Sequence, residues 1–211
     1  MKKDYSGLFV IVEGIDGTGK STLVSNLYRI LKKKGIDVLV TFEPTHGKWG
    51  RKLRQSFSAR KRMSPEEELS LFVKDRKEHL IETVLPALEA GRVVLCDRYY
   101  FSTMAYQGAR GLDPQNIKEK NRAFAITPDI CFLLELSPEQ AVERITKGRR
   151  EAINNFEQLE YLKRVSQIFS SLDEDCIVRL DANMPPERLS ETAAEIIFKK
   201  LKEKGQAKFI S

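Results

Sequence analysis

The sequence predicts an α/β fold: a five-stranded parallel sheet with helices on both faces and a short lid segment. Three observations carry this. Short apolar runs bounded by glycine, proline or acidic residues recur five times along the 211 residues. The runs are continuous, as in strands buried on both faces, rather than alternating. Longer stretches with apolar residues at helical spacing separate them, the pattern of a sheet built from strand–helix–strand units. The length suits one well-buried domain better than two, so residues 1–211 read as a single domain, and no internal repeat is visible.

In chain order, Leu8 to Glu13 is the first strand and ends at Gly14. From Ser21, residues Leu23, Leu27, Ile30 and Leu31 repeat at helical spacing until Gly35 stops them. Asp37 to Thr41 is the second strand, and Pro44, Gly47 and Gly50 mark a loop after it. Ser64-Pro65-Glu66-Glu67 supplies a cap residue, a proline at the first helical position and a capping-box glutamate. The long helix it begins runs to Gly91, with a bend expected near Pro86. Arg92 to Cys96 is the third strand, closed by Asp97-Arg98, and Ser102 to Gln107 starts another helix. Ile130 to Leu136 is the fourth strand, followed by the helix start Ser137-Pro138-Glu139. Cys176 to Leu180 is the fifth. A last helix after Pro185-Pro186 turns Leu189, Ala193, Ile196, Ile197 and Leu201 inward.

Composition narrows the chemistry. With 41% hydrophobic and 31% charged residues the chain reads as an ordinary globular protein. The apolar run Leu8 to Val12 is too short for a secretory leader and no stretch is long enough to span a bilayer, so a cytoplasmic protein with no membrane contact is expected. Cys96, Cys131 and Cys176 each lie in an apolar run without metal-ligand spacing and read as small core residues. Only His46 and His79 are available, too few for a histidine triad or zinc site. The net charge of +6 suits phosphorylated partners. Lys32 to Lys34 and the C-terminal Lys199, Lys200, Lys202 and Lys204 read as solvated helix ends. The group Arg51, Lys52, Arg54, Arg60, Lys61 and Arg62 reads as a possible anion contact.

The most specific signal is Gly14-Ile15-Asp16-Gly17-Thr18-Gly19-Lys20-Ser21, which satisfies G-x-x-x-x-G-K-[ST] between a predicted strand and a predicted helix. Glycines let successive backbone N–H groups converge on one phosphate, and the helix beginning near Lys20 adds its positive dipole end. Residues Gly14 to Thr22 are therefore the expected ATP-binding set. Lys20 would reach the β and γ phosphates and the Ser21 hydroxyl would ligate Mg²⁺. Asp97, at the end of a buried strand, is expected to steady the same metal. Asn-Lys-x-Asp and Leu-Ser-Gly-Gly-Gln are both absent, which disfavours a GTPase or a transporter ATPase.

Through motifs spread from Phe9 to about Tyr161, the chain resembles the thymidylate kinases. The strongest are Glu13 to Thr22 and Asp97-Arg98-Tyr99 followed by Ser102-Thr103-Met104-Ala105-Tyr106-Gln107-Gly108. Weaker matches are Glu43-Pro44, Leu71-Phe72 with Arg76, Pro128-Asp129, and Glu143-Arg144-Ile145 leading to Arg149, Arg150 and Phe156-Glu157. The resemblance implies transfer of the ATP γ-phosphate to dTMP by a cytoplasmic homodimer. It places Asp16 on the acceptor's 3′-hydroxyl, Phe72 against thymine, Arg76 and Thr103 on the base edge, Tyr106 against the sugar 2′ carbon, and Arg98 on the acceptor phosphate. Glu43 and Ser102 join this substrate set. Because Gly17 follows Asp16, the catalytic arginine implied for the family must come from the lid, about residues 147–157, with Arg149 and Arg150 as candidates.

The chain departs from many bacterial members at Phe42-Glu43-Pro44-Thr45-His46-Gly47, which lacks a phosphate-binding arginine that Arg51 or Arg54 would replace. The stretch Ile153 to Leu159 is also shorter than usual. Two other functions stay open on the sequence. A deoxynucleoside kinase would need a carboxylate base for a neutral hydroxyl, and Glu43 is the candidate. A nucleotide-dependent nucleic-acid-binding or regulatory protein would use the Arg51 to Arg62 cluster, although no nucleic-acid-reading motif accompanies it.

Overall fold

The structure is a computed structural model and describes residues 5–60, 62–147 and 155–205. Its strands are β1 (Leu8–Glu13), β2 (Val38–Phe42), β3 (Val93–Asp97), β4 (Ile130–Glu135) and β5 (Ile177–Asp181). They form one parallel sheet in the order β2-β3-β1-β4-β5. The expected fold class is the one found, with every strand within about a residue of its predicted position. All six residues of β1 are buried, as its unbroken apolar run requires. Each fully buried large aliphatic side chain contributes about 1.5–3 kcal/mol, so the sheet holds the strongest part of the core.

The helices are α1 (Lys20–Lys33), α2 (Lys48–Phe57), α3 (Pro65–His79), α4 (Leu85–Glu89), α5 (Tyr100–Gly108), α6 (Pro114–Arg122), α7 (Pro138–Lys147), α8 (Asn155–Ser170) and α9 (Pro186–Glu203). Helix α1 packs with α9, whereas α5 packs with α3, α6 and α8. The capping box at α3 forms as predicted: Ser64 Oγ accepts from Glu67 N at 3.2 Å and Glu67 Oε2 accepts from Ser64 N at 2.9 Å. The expected bend near Pro86 takes a specific form, a π-helical stretch at Leu80–Val84 between α3 and α4. Proline has no N–H to donate and its ring crowds the carbonyl four residues earlier, so the preceding turn widens.

One expectation is corrected. The segment after Pro44 is not all loop, because Lys48–Phe57 is helical despite Gly50. A side chain at Gly50 would come 1.9 Å from the Thr45 carbonyl oxygen, so this glycine permits close packing of the preceding loop against the helix rather than marking a loop itself. A second concerns Lys204, read as solvated: its Nζ donates to the Gly7 carbonyl at 2.7 Å and pairs with Asp129 at 3.0 Å. Asp129 also accepts from Phe9 N at 2.8 Å, so the Pro128-Asp129 motif anchors the start of β1.

Strand β1 is central, with β3 and β2 on one side and β4 and β5 on the other. In open parallel sheets the crevice for a ligand lies beyond the carboxyl ends of the strands, where the winding direction changes. The glycine loop leaves β1 at that point.

Candidate active site

The loop between β1 and α1 turns on Gly14 (φ 136°), Gly17 (φ 87°) and Gly19 (φ 90°), all in a region that residues with a Cβ rarely enter. Space enforces the choice twice. A Cβ at Gly14 would sit 2.6 Å from the Leu134 carbonyl oxygen, and one at Gly17 would sit 2.7 Å from that of Ala141. Thr18 Oγ1 donates to the Ile15 carbonyl at 2.9 Å and Lys20 Nζ to the same oxygen at 2.8 Å, which closes the loop on itself. Burial pushes the Lys20 pKa down to about 7, and the Arg98 charge works in the same direction. A buried amine that donates to one carbonyl among the described residues is poised to take up a proton with an anionic ligand.

Ser21, at the start of α1, donates from Oγ to Asp97 Oδ2 at 2.6 Å. Asp97 Oδ1 is buried and has no hydrogen-bond partner among the described residues. An orphaned carboxylate oxygen beside a hydroxyl is the donor set that a hard divalent cation or its bound water satisfies. The pair predicted as metal ligands therefore comes together and fits the ion. Among the described residues no group of three or more His, Cys, Asp or Glu side chains is placed to hold a metal ion, so much of the coordination would fall to substrate oxygens and water.

On the acceptor side, Glu13 organises the turn after β3. Its Oε1 accepts from Tyr99 N at 2.8 Å and Ser102 N at 3.1 Å, and its Oε2 from Ser102 Oγ at 2.5 Å. Burial pushes this carboxyl up to about 7 against those hydrogen bonds. Since the Ser102 hydroxyl spends its proton on Glu13, its oxygen is free to accept from Arg98 Nη1 at 3.0 Å. Arg98 has a left-handed φ of 70°, the only such non-glycine among the described residues, and its other nitrogen pairs with Asp16. Backbone strain of this kind costs on the order of 1–3 kcal/mol and gathers at functional sites. Tyr106 Oη accepts from Asp16 N at 3.0 Å and its ring lies 5.1 Å from the Arg98 guanidinium.

These groups open onto a cavity of about 390 Å³. Its walls include Asp16, Glu43, Phe72, Arg76, Arg98, Ser102 and Tyr106, seven of the eight residues expected to bind the acceptor. The eighth, Thr103, lies behind Arg76 and accepts from its Nη2 at 3.0 Å. Arg76 is fully buried: Glu43 Oε2 accepts from Nε at 2.8 Å and Nη2 at 2.7 Å, and Asn121 Oδ1 accepts from Nη1 at 2.6 Å. Glu43 Oε1 lies 3.1 Å from His79 Nδ1, so both oxygens of the carboxylate are engaged.

The replacement arginines do something else. Arg54 donates to the carbonyls of Pro44 and Thr45 at 2.7 and 2.5 Å, and Arg51 to that of His46 at 2.6 Å, so they hold the loop and do not line the cavity. Of the described residues of the basic cluster, Arg62 reaches the cavity wall. Arg149 and Arg150 lie outside the described residues. Sequence reasoning missed Gln107, Phe57 and Tyr161, which also line the cavity. Gln107 was visible as a polar residue one position beyond Tyr106, but its burial was not.

The comparison with known proteins agrees with this geometry. The thymidylate kinase family model matches residues 12–206. A thymidylate kinase from Desulfotalea psychrophila is 47% identical over 176 residues, 83% of this chain and 87% of that protein. A probable thymidylate kinase from Archaeoglobus fulgidus is 43% identical over 190 residues, covering 90% and 94%. One from Akkermansia muciniphila is 44% identical over 188 residues, 89% of each chain. A match across nearly the whole length, laid over a glycine cradle that faces a nucleotide-sized cavity, leaves one conclusion: the chain belongs to the thymidylate kinase family.

Proposed function

We propose that the chain transfers the γ-phosphate of ATP to dTMP, giving dTDP, with Mg²⁺ bound at Ser21 and Asp97. The observation that carries this is the continuity of the two subsites: Asp16 belongs to the phosphate-binding loop and also lines the acceptor cavity. The base lies against Phe72 with Arg76 donating to a carbonyl on its edge, the sugar faces Asp16 and Tyr106, and the acceptor phosphate meets Arg98. The donor's base lies on the opposite side of the loop, in a second cavity of about 390 Å³ lined by Gly14, Ile15, Ser137, Gln140, Asp181 and Asn183.

The acceptor is an ionised phosphate, so the chemistry needs alignment and charge neutralisation rather than a protein base. Lys20 neutralises the transferred group, Arg98 holds the attacking phosphate, and a lid arginine, Arg149 or Arg150, completes the charge. Ser21 and Asp97 would hold the magnesium ion, which would neutralise the remaining negative charge of the phosphates. The engaged state of Glu43 argues against a deoxynucleoside kinase, whose base must be free to take a proton. The resemblance further supports one kinase domain over residues 1–211, working as a cytoplasmic homodimer; no described helix is long and apolar enough to cross a membrane.

The direct test offers thymidine, dTMP and the other common monophosphates side by side with ATP and Mg²⁺. Turnover of dTMP with little of thymidine is the expected result, and the reverse preference overturns the reading. Arg98→Ala should raise KM for dTMP roughly 10- to 100-fold, the loss of charge-assisted hydrogen bonds, while KM for ATP moves little.

Lys20 gives a pH prediction. With its pKa near 7 in the free protein, the side chain is mostly neutral at pH 8. The triphosphate restores the charge, so binding ATP·Mg at pH 8 should take up about 0.9 proton, falling toward about 0.1 at pH 6. Affinity therefore weakens as pH rises above 7. Calorimetry in buffers of different ionisation enthalpy reads the uptake directly, and none at pH 8 contradicts the assignment.

A further inference from the structure

Arg98, the strained residue of the site, is held from behind by two consecutive residues of β1. Its own N–H donates to the Val12 carbonyl at 3.0 Å, and the N–H of Tyr99 after it donates to Glu13 Oε1 at 2.8 Å. Its carbonyl accepts from the Cys96 thiol at 3.0 Å, so the groups on both sides of the left-handed φ have fixed partners. A conformation of this kind persists where its surroundings over-determine it.

Glu13 also serves as the cap of α5. Tyr99 is the residue before that helix, and its side chain makes no capping hydrogen bond. A capping box satisfies the amides of the cap residue and of the third helical residue. Here those amides are Tyr99 N and Ser102 N, and both donate to Glu13 Oε1. The other oxygen, Oε2, takes the proton of the Ser102 hydroxyl. One fully buried carboxylate from β1 thus fixes the start of α5 and the side chain at its third position.

We propose that Glu13 is a positioning residue for the acceptor phosphate: it pins the backbone turn at Arg98 and, by taking the Ser102 proton, turns a lone pair of that hydroxyl toward the Arg98 guanidinium. This rests on the reading above that Arg98 holds the acceptor phosphate. The second task needs a carboxylate. An ionised carboxylate only accepts, so the hydroxyl proton points to it and Arg98 Nη1 meets an oxygen lone pair. A glutamine in its place would keep one oxygen for the two amides and set its NH₂ against Ser102 Oγ. Two donors would then crowd one hydroxyl oxygen, and the displaced proton would turn toward the guanidinium. Arg98 would keep its pair with Asp16 but lose the fixed partner of Nη1.

The experiment compares the wild-type chain with Glu13→Gln, Ser102→Ala and the double variant. Assays run at pH 8, because burial pushes the Glu13 carboxyl up to about 7 and it is ionised above that. KM is measured for dTMP and for ATP. Glu13→Gln should raise KM for dTMP about 10-fold or more, the value of a charge-assisted hydrogen bond, and leave KM for ATP within about 2-fold. Ser102→Ala should raise KM for dTMP at least as far. The double variant should be within about 3-fold of Ser102→Ala, since both changes act through one hydroxyl.

Effects that multiply in the double variant overturn the proposal, because Glu13 then does not act through Ser102. A parallel rise in KM for dTMP and ATP also overturns it and leaves Glu13 a structural cap. Arg98→Ala separates this from the assignment of the phosphate. A large effect there beside an unchanged KM for dTMP in Glu13→Gln sinks the role of Glu13 alone, whereas no effect of Arg98→Ala sinks both. If Glu13→Gln does not fold, Glu13→Asp takes its place with the same coupling expected, because a carboxylate withdrawn by one methylene no longer reaches the amides and the hydroxyl together.

Discussion

Lys20→Ala is expected to lower kcat/KM for ATP-dependent phosphorylation of dTMP by roughly 1,000-fold or more while the protein stays folded. The Nζ of Lys20 sits inside the glycine loop, 2.8 Å from the Ile15 carbonyl, where a point charge acts on the phosphates in surroundings far less screening than water. The stability half of the prediction follows from the lowered pKa. Between pH 7 and about 10.5 the unfolded chain holds a proton on Lys20 that the native chain has released, so this group's contribution to stability improves as pH rises through that window. Below pH 7 its full cost is present. Removing the side chain should therefore leave the melting temperature at pH 7 unchanged or raised. Steady-state kinetics and thermal melting followed by circular dichroism check the two halves. Near-normal turnover would remove Lys20 from the reaction, and a large fall in melting temperature would show it to be a structural residue.

Arg76→Ala should have the largest effect on stability. The guanidinium is completely buried and serves Glu43, Asn121 and Thr103 at once. Its loss strands the Glu43 carboxylate in the interior with His79 as its remaining neighbour. Breaking one side of a buried ion pair costs about 3–5 kcal/mol, which for a chain of this length lowers Tm by roughly 6–20 °C. Adding Glu43→Gln should recover part of the loss, because the stranded charge then disappears; a double-mutant cycle measures the coupling. A Tm within about 2 °C of wild type would mean that the pair contributes little. Where the variant folds, KM for dTMP should rise, since the donor to the base edge is gone.

The legible part of the site was the part written locally. Gly14 to Ser21 is contiguous, and each glycine answers a demand of the backbone itself, so spacing alone identified it. Asp97 was legible because it ends an apolar run, and the fold does place it against Ser21. Gly50 misled for the opposite reason. A glycine in sequence carries no mark to distinguish a loop from a close contact inside a helix, and only the approach of the Thr45 carbonyl shows which it is. Helices α6 and α8 were also missed: α6 is strongly polar, with only Ile117 and Asn121 buried.

Glu13, Glu68 and Gln107 were hidden more deeply. Glu13 was read as the last residue of a strand, yet it decides where the Ser102 proton points and hence what Arg98 can hold. Glu68 was one of three consecutive glutamates at the start of a helix, and only it is fully buried. Hydrophobic periodicity finds the apolar face of a helix. It is silent on a carboxylate that enters the interior because Arg62, Arg110 and Gln107 arrive from segments up to 42 residues away.

By itself the sequence determined the sheet and the phosphate cradle, because these depend on periodicity and on conformations open to glycine over a few consecutive residues; the class of reaction came from the resemblance those motifs carry. The tertiary structure alone decided which charges are paired, which way the Gln107 amide faces, and that Arg51 and Arg54 brace a loop while Arg62 reaches the cavity. Such questions turn on distances between residues remote in the chain. A hydrogen bond is won or lost over less than an ångström, a scale that sequence spacing does not encode.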